Sequence, residues 1–510
     1  MVIVTPDQMR QVEEYTFRSG LDALRLMENA GARAATLAEE AGLCVGKQVV
    51  ILCGRGNNGG DACVMARHLL QKGNRVTLIL CEGQPVTKQA SRMFERLQGL
   101  ELEILNAGFD KSAAFRRISG ADLIVDGVYG IGFHGNLQGL TAPLIEEANR
   151  TNVVRLSLDL PSGMNGETGE TDPGVFRADF TVVFGAYKTG HFTDGGRKCC
   201  GRLLLAEIGI PAEAFAKCGV DAFFTDAEMI KQSVPKRDVS AHKGDFGRAL
   251  LLCGSRRMSG AAFLAASGAL KAGAGLVTLA APGTVVDGLC GRLIEATFLP
   301  LPEEDGFVSK GAEELLLAEM KNKTALLAGC GLGRGTAASR LIERMLMGQK
   351  NPVVLDADGL FLAAEHKDEW KAHCCPLILT PHAGEMERLT GEKTPTDRIR
   401  RKEVCRRLAE EWNAVVVLKG HETVICGPEG SHYLNQTGNP GLAKGGSGDL
   451  LAGLICGLAA QGIEPVKAAA IGAWLHGKAA DLAVAESGEA GLLASELLPY
   501  LGKVWAMLKR

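Results

Sequence analysis

Several runs of glycine, amide and carboxylate residues have the types and spacing that nucleotide chemistry requires. The first is Gly54-Arg55-Gly56-Asn57-Asn58-Gly59-Gly60-Asp61, which follows an apolar run ending at Cys53 and contains GxGxxG at Gly54, Gly56 and Gly59. Glycine at such a place lets backbone N–H groups converge on an anion at a helix N-terminus, and Asn57, Asn58 and Asp61 add amides and oxygens that a plain dinucleotide turn lacks. Asx-turns and helix capping are the structural alternative for the same residues. Asp126 closes a second apolar run, ahead of the Gly-rich stretch Gly127 to Gly135; Asp159 closes a third, ahead of Leu160-Pro161-Ser162-Gly163. Carboxylates at neighbouring strand ends share a crevice in an open α/β sheet. Asn58, Asp126 and Ser162 offer amide, carboxylate and hydroxyl oxygens with no imidazole or thiol, a set suited to a hard cation rather than zinc. Asp159 is left as a candidate acid/base, with capping of its own turn as the alternative. Lys188 is a secondary candidate that a solvated lysine beyond a strand would equally explain.

The second half carries no GxxxxGK[ST], so a Walker-type phosphate grip is absent. In its place Gly438-Asn439-Pro440-Gly441-Leu442-Ala443-Lys444-Gly445-Gly446-Ser447-Gly448-Asp449 leads into an apolar helix expected over Leu450 to Ala460. Such a backbone can form an anion hole at the helix N-terminus, with Asp449 as a base for an attacking hydroxyl; the alternative for Asp449 is a residue matched to the helix dipole. Three more polar or Gly-rich turns follow strand-like runs: Gly329 to Gly333, Pro381-His382-Ala383-Gly384-Glu385 and Lys419-Gly420-His421-Glu422-Thr423. Each alone fits a mere turn, and His382 alone fits a structural histidine.

The elements that must position these residues alternate. Apolar runs at Lys47 to Cys53, Arg75 to Leu80, Ala121 to Asp126, Val153 to Asp159 and Asp179 to Phe184 predict parallel strands buried on both faces, with a helix over Asp61 to Leu70 and a helical preface opened by Thr5-Pro6-Asp7. The pattern loosens around Ile210 to Asp226. A second series begins at Ala249 to Cys253 and continues at Leu276 to Ala280, Ala325 to Ala328, Val353 to Asp356, Leu377 to Thr380 and Val415 to Leu418. With 510 residues and about 150 per domain, this predicts domains at 1–220 and 221–510. Fifty-six basic against 59 acidic residues, net −3, supply no drive toward nucleic acid or anionic lipid, and no apolar run approaches a membrane span. Fifteen scattered cysteines without CxxC predict reduced thiols and a cytoplasmic protein.

GxGNNGGD, VDxxxG and DLPSG, in that order over roughly 200 residues, resemble the NAD(P)H-hydrate epimerase family. The resemblance implies a Rossmann-like αβα domain that interconverts the R and S epimers of hydrated NADH or NADPH with bound K+. Asn57, Asn58, Gly59, Gly60 and Asp61, then Gly130, Ile131, Gly132, Phe133, His134, Gly135 and Asn136, and Asp159 would bind the hydrated nucleotide. Asn58, Asp126 and Ser162 would hold K+, and Asp159 would carry protons as the hydrated carbon's C–O or C–N bond opens and re-forms. Ala62 stands where the family usually has glycine. The second half, through Lys243-Gly244-Asp245-Phe246-Gly247, Gly254-Ser255, the three turns and Gly445 to Asp449, resembles the ribokinase-like ADP- or ATP-dependent NAD(P)H-hydrate dehydratases. That implies a second three-layer αβα domain in which Asp449 deprotonates the 6-hydroxyl of the S hydrate. The oxygen takes a phosphoryl group from ADP with Mg2+, and phosphate leaves to regenerate NAD(P)H with AMP. Ala261, Gly331, His382 and Asp449 would line the hydrate site, and Lys419, Gly420, His421, Glu422, Thr423 and Gly448 the adenine nucleotide. The joint reading is a bifunctional repair enzyme, expected to be a homo-oligomer. The rival is a ribokinase-like vitamin or sugar kinase fused to a non-catalytic nucleotide-binding module.

Overall fold

The computed structural model describes residues 2–396 and 398–508. The chain divides into two compact units, Met1–Val220 and Asp221–Arg510.

In the first unit seven parallel strands lie in the order Glu103–Asn106, Arg75–Leu80, Gln48–Cys53, Leu123–Gly127, Val154–Leu158, Phe180–Phe184 and Arg202–Ala206. Alternate side chains of each strand enter opposite cores. Val49, Ile51 and Cys53 pack with Met27, Ala34, Val64 and Met65 of the helices Ala23–Glu40 and Asn57–Gln71, while Val50 and Leu52 pack with Ala114, Ile118, Leu144 and Ile145. That is the period-2 alternation of a sheet covered on both faces. The strand order reverses between Gln48–Cys53 and Leu123–Gly127, so the carboxyl ends of those two strands open the crevice where ligands sit in doubly wound folds. Two elements of the preface matter to that crevice. Thr5 caps the helix Pro6–Arg18 in a capping box with Gln8, and Val2–Val4 pairs in parallel with Tyr187–Lys188.

The second unit runs Thr297–Leu301, Leu276–Pro282, Arg248–Leu252, Ala325–Ala328, Val353–Leu355, Leu377–Leu379 and Ala414–Leu418 in parallel. Thr423–Cys426 and His432–Asn435 follow antiparallel, and Ala222–Phe224 pairs parallel to the last. Here the switch lies between Arg248–Leu252 and Ala325–Ala328. The helix Ser447–Ala460, buried on nearly every side, lies against Ser259–Lys271 at backbone distance. A Cβ added at Gly453 would meet the Ala265 carbonyl oxygen at 2.0 Å, and one at Gly268 would meet that of Leu450 at 2.4 Å. Glycine at both contacts lets the helix that carries Asp449 settle into the core. Among the described residues no helix is long and apolar enough to cross a membrane.

Two expectations differ in extent. The helix expected from Asp61 starts at Asn57, so the Asn-Gly run is its first turn rather than a loop. The helix expected from Leu450 starts at Ser447, which places Asp449 at its third residue. Lys243-Gly244-Asp245-Phe246-Gly247 precedes its strand, and a Cβ at Gly247 would strike the carbonyl oxygen of Ala460, the last residue of the helix that begins at Ser447. That motif is packed at the end of the unit away from Asp449.

Candidate functional site

In the first unit the helix Asn57–Gln71 opens at Gly56 with no side chain capping it, which leaves its first N–H groups toward the crevice. The turn is tightly fitted: a Cβ at Gly54 would lie 2.1 Å from the Val128 carbonyl oxygen, and one at Gly59 2.0 Å from that of Gly54. Asn57 is exposed and its Oδ1 accepts a hydrogen bond from Thr87 Oγ1 at 2.6 Å. Ala62 is fully buried, and its methyl lies 2.6 Å from where a Gly127 Cβ would be, so the departure at residue 62 is accommodated by glycine on the facing strand.

Asn58, Asp126 and Ser162 come together, joined through the peptide of Tyr129. Asn58 Nδ2 donates to the carbonyls of Tyr129 (2.9 Å) and Leu158 (3.2 Å), and the Tyr129 N–H donates to Ser162 Oγ at 2.9 Å. Ser162 in turn gives its hydroxyl to Asp126 Oδ1 at 2.6 Å and its N–H to Oδ2 at 2.7 Å. Asp126 is fully buried, and burial pushes its carboxyl up to about 6 although the Ser162, Val128 and Ser157 donors pull it down. The set fits a hard monovalent cation in its donor chemistry: oxygens of amide, carboxylate and hydroxyl, with two carbonyls beside them and a buried carboxylate whose charge a cation would offset. Gly130 to Asn136 form a turn closed by Phe133 N–H on Gly130 O at 3.1 Å; Gly130 lies against Asn58, Phe133 is buried against Tyr129, and Gly132, His134, Gly135 and Asn136 are exposed.

Asp159 sits just past its strand at φ 63°, a left-handed conformation that aspartate tolerates at a cost and that clusters at functional sites. Its Oδ1 accepts the Phe184 N–H at 3.0 Å and forms an ion pair with the buried ammonium of Lys188. Lys188 is therefore the partner of Asp159 rather than a solvated side chain. Sequence reasoning missed two neighbours. His191 accepts the Lys188 N–H at Nδ1 (3.0 Å), which leaves Nε2 to donate to the Asp159 carbonyl at 2.8 Å; burial holds this imidazole neutral, down to about 4. Glu13, one turn along from Met9 on the first helix, feels both Lys188 and Asp159, and burial pushes its carboxyl up to about 7. Asp61 is raised well above its ordinary range by burial, Asp159 and Glu13. The signal for Glu13 was an acidic residue beside Val12 on a helix otherwise apolar toward the sheet, too faint to read without the pairing of Val2–Val4 to Lys188.

In the second unit the turns meet at one edge. Gly254 N–H donates to the Cys330 carbonyl at 2.8 Å, and a Cβ on Gly331 would touch that of Ala261 at 2.9 Å. Asp356, at the end of the strand Val353–Leu355 and given no role from sequence, is the hub. Its Oδ1 accepts from Thr380 Oγ1 at 2.7 Å and from Lys419 Nζ at 2.8 Å, and its Oδ2 from Cys330 Sγ at 3.7 Å. Lys419 also approaches Glu385 at 3.7 Å and donates its N–H to the Pro381 carbonyl at 2.8 Å. Lys419 holds Asp356 below the usual carboxylate range despite complete burial. A Cβ on Gly448 would lie 3.3 Å from Lys419 Nζ and 3.6 Å from Asp356 Oδ2. Asp449 beside it is pushed up to about 6 by burial and the Asp356 charge, with Cys330 and Lys419 opposing. Cys330, Asp356 and Asp449 form a cluster whose ligand atoms lie within 4.8 Å of one another. His382 caps the helix Ala383–Thr390, its Nδ1 accepting the Glu385 N–H at 3.2 Å, so its structural role is present. Gly420 and His421 are exposed, and Glu422 takes φ 58° in the turn before Thr423. A further buried histidine, His476, lies near Lys419, is held down to about 4 by burial and by that ammonium, and leaves Nε2 without a hydrogen-bond partner among the described residues.

These features define a protein of two doubly wound α/β units, each gathering carboxylates and glycine turns at the carboxyl edge of its sheet. The family model for NAD(P)H-hydrate dehydratase matches residues 249–503 and that for the YjeF-related protein N-terminus residues 23–190. A bifunctional NAD(P)H-hydrate repair enzyme of Moorella thermoacetica is 38% identical over 98% of this chain and 96% of its own length, and one of Coxiella burnetii 35% identical over 97% of each. Among solved structures, the ADP/ATP-dependent NAD(P)H-hydrate dehydratase of Bacillus subtilis, crystallised with ATP/Mg2+, is 34% identical over 56% of this chain and 98% of its own, TM-score 0.49. A hypothetical protein of Streptococcus mutans is 27% identical over 56% of this chain and 100% of its own, TM-score 0.50. The chain belongs to the family of bifunctional NAD(P)H-hydrate repair enzymes.

Proposed function

We propose that the first unit interconverts the R and S epimers of hydrated NADH and NADPH, and that the second dehydrates the S epimer at the expense of ADP. The observation that carries the dehydratase reading is the meeting of Asp449, Gly448, Lys419 and Asp356 at the uncapped start of Ser447–Ala460. Asp449, with its carboxyl pushed up to about 6, is ionised at neutral pH yet basic enough to take the proton of the 6-hydroxyl. The Gly446 and Gly448 backbone N–H groups receive the terminal phosphate, and the Lys419 turn takes the rest of the nucleotide. Lys419 is aimed by Asp356 and Glu385. The ring nitrogen's lone pair then forms C=N as the phosphorylated hydroxyl leaves as phosphate, and loss of a proton from the neighbouring ring carbon to solvent restores the C=C bond of NAD(P)H. Mg2+ would travel on the nucleotide's phosphates, with Asp449 and Asp356 the carboxylates at hand, and would offset charge there. Ala261, Gly331 and His382 line the hydrate.

In the first unit Asn57 to Asp61, Gly130 to Asn136 and Asp159 bind the hydrated nucleotide, its phosphates on the open start of Asn57–Gln71. Asn58, Asp126 and Ser162 hold K+, which would supply a fixed positive charge to the crevice. His191 fixes the Asp159 backbone, and Lys188 orients its carboxylate. All fifteen cysteines are unpaired thiols, in keeping with a cytoplasmic site of action. The test is purified chain with S hydrate of NADH and ADP. Stoichiometric inorganic phosphate and AMP, appearing only when the hydrate is present, support the reading; a stable phosphorylated product from a vitamin or sugar would replace it with the kinase.

A further inference from the structure

We propose that Asp481, on the helix Pro465–Gly491, is the positioning residue of the glycine loop whose end forms the phosphate hole of the second unit. The inference rests on the dehydratase reading and assigns what holds that loop in place. Gly438, Gly441, Gly445, Gly446 and Gly448 give the loop little conformational preference of its own, and Gly438 and Gly446 stand at φ 109° and 92°. Its last N–H groups can meet a phosphoryl group in one place only if something outside the loop fixes it.

The helix supplies that support. Gly477 brings it into backbone contact with the chain entering the loop: a Cβ there would lie 2.4 Å from Thr437 Oγ1 and 2.5 Å from the Thr437 carbonyl oxygen. Thr437 Oγ1 donates to the Trp474 carbonyl at 3.0 Å, and Asn435 Nδ2 to that of Ala473 at 3.3 Å. One turn further along the helix, Asp481 receives the loop itself. The Gly438 N–H lies between its two carboxylate oxygens, at 3.2 Å from Oδ1 and 3.1 Å from Oδ2, and Asn439 Nδ2 donates to Oδ1 at 3.2 Å. Asn439 Oδ1 in turn accepts the Gly441 N–H at 3.0 Å, and Lys444 Nζ reaches the Ala490 carbonyl at 2.6 Å. Among the described residues no lysine or arginine lies within ion-pair distance of Asp481, so its charge is committed to these donors, which a carboxylate holds more firmly than a neutral acceptor would. At the far end of the loop a Cβ on Gly446 would meet Leu264 Cδ1 at 2.5 Å, so the hole also rests on the helix Ser259–Lys271. With both ends held, the Gly446 and Gly448 N–H groups keep one geometry. Asp481 acts through the loop and not on the substrate.

The experiment measures phosphate release from S hydrate and ADP by the full chain and by chains carrying Asp481→Asn, Asn439→Asp or both. Asp481→Asn keeps the shape but turns an N–H toward one of the loop's donors, and should lower kcat about 10- to 100-fold. The KM for ADP, set by the Lys419 turn, should change little. Asn439→Asp sets two carboxylates against each other and should lower kcat in the same way. In the double variant the amide at 481 can accept the Gly438 N–H and donate to the carboxylate at 439, so kcat should return to within about threefold of wild type. A general loosening of the unit would not be repaired by a second change. Asp481→Asn with the wild-type kcat, an effect confined to the KM for ADP, or a double variant no better than the single ones overturns the assignment. If Asp481→Asn fails to fold, Asn439→Asp decides, since residue 439 lies on the loop: its kcat should fall with KM held, and an unchanged kcat equally overturns the assignment. A wild-type chain that releases no phosphate from S hydrate and ADP removes the dehydratase reading itself, a distinct result.

Discussion

The base role proposed for Asp449 carries a cost in stability. Its carboxyl is pushed from 3.8 up to about 6 by burial and by Asp356, so the folded chain favours the protonated form. The stabilising contribution is therefore complete below the unfolded value and is lost as pH rises through about 6. Asp449→Asn should abolish dehydration, lowering kcat by about 10²–10⁴, and at pH 8 should make the second unit more stable by roughly 2 kcal/mol. Near pH 4 that gain should vanish. Thermal unfolding at both pH values checks this; a variant destabilised at pH 8 would show that the carboxylate is structurally needed. For the wild type, dehydration should fall as pH drops through about 6. Asp449, Lys419 and Gly448 were legible from sequence because a Gly-rich turn before an apolar helix advertises itself. Asp356 was not, since an aspartate at a strand end is common, and only the Thr380 and Lys419 hydrogen bonds distinguish it. His191 was invisible for a related reason: only its hydrogen bonds to the Lys188 N–H and the Asp159 carbonyl distinguish it.

At the scale of elements, the strands were readable to within a residue or two because parallel strands covered on both faces are continuous apolar runs. Among those not read are Glu103–Asn106, Arg202–Ala206 and Thr297–Leu301 at the sheet edges and the antiparallel pair Thr423–Cys426 and His432–Asn435, all short and most of them bounded or broken by polar residues or proline. Helix starts erred in one direction. Glycine and asparagine read as loop, yet at Asn57–Gly60 and Ser447–Gly448 they begin helices, because close approach to a neighbouring backbone or ligand outweighs helix propensity there. The fit of Ala62 to Gly127 gives a test at this scale. Gly127→Ala would bring two methyls to about 2.6 Å and should destabilise the first unit by roughly 1–3 kcal/mol. Adding Ala62→Gly should recover most of that loss in a double-mutant cycle followed by denaturant unfolding. Additive effects would mean that the two elements do not press on one another.

For the molecule as a whole, the residues assigned to the two crevices divide by unit. Asn58, Asp61, Asp126, Asp159, Ser162 and Lys188 all fall in Met1–Val220, and Ala261, Gly331, Asp356, Lys419 and Asp449 all fall in Asp221–Arg510. Fusion then matters by supplying both activities in equal number: a dehydratase confined to the S epimer strands the R epimer unless an epimerase refills the pool. With a mixture of R and S hydrates and ADP, the wild type should restore reduced-nicotinamide absorbance completely. Asp159→Asn should stop near the S fraction on the time scale of the wild-type reaction, and Asp449→Asn should restore none. Because each variant chain keeps the other unit unaltered, an equimolar mixture of the two variant chains should again run to completion, more slowly only in proportion to the halved concentration of each active unit. A mixture that stops at the S fraction would mean that the hydrate must pass between crevices of one chain.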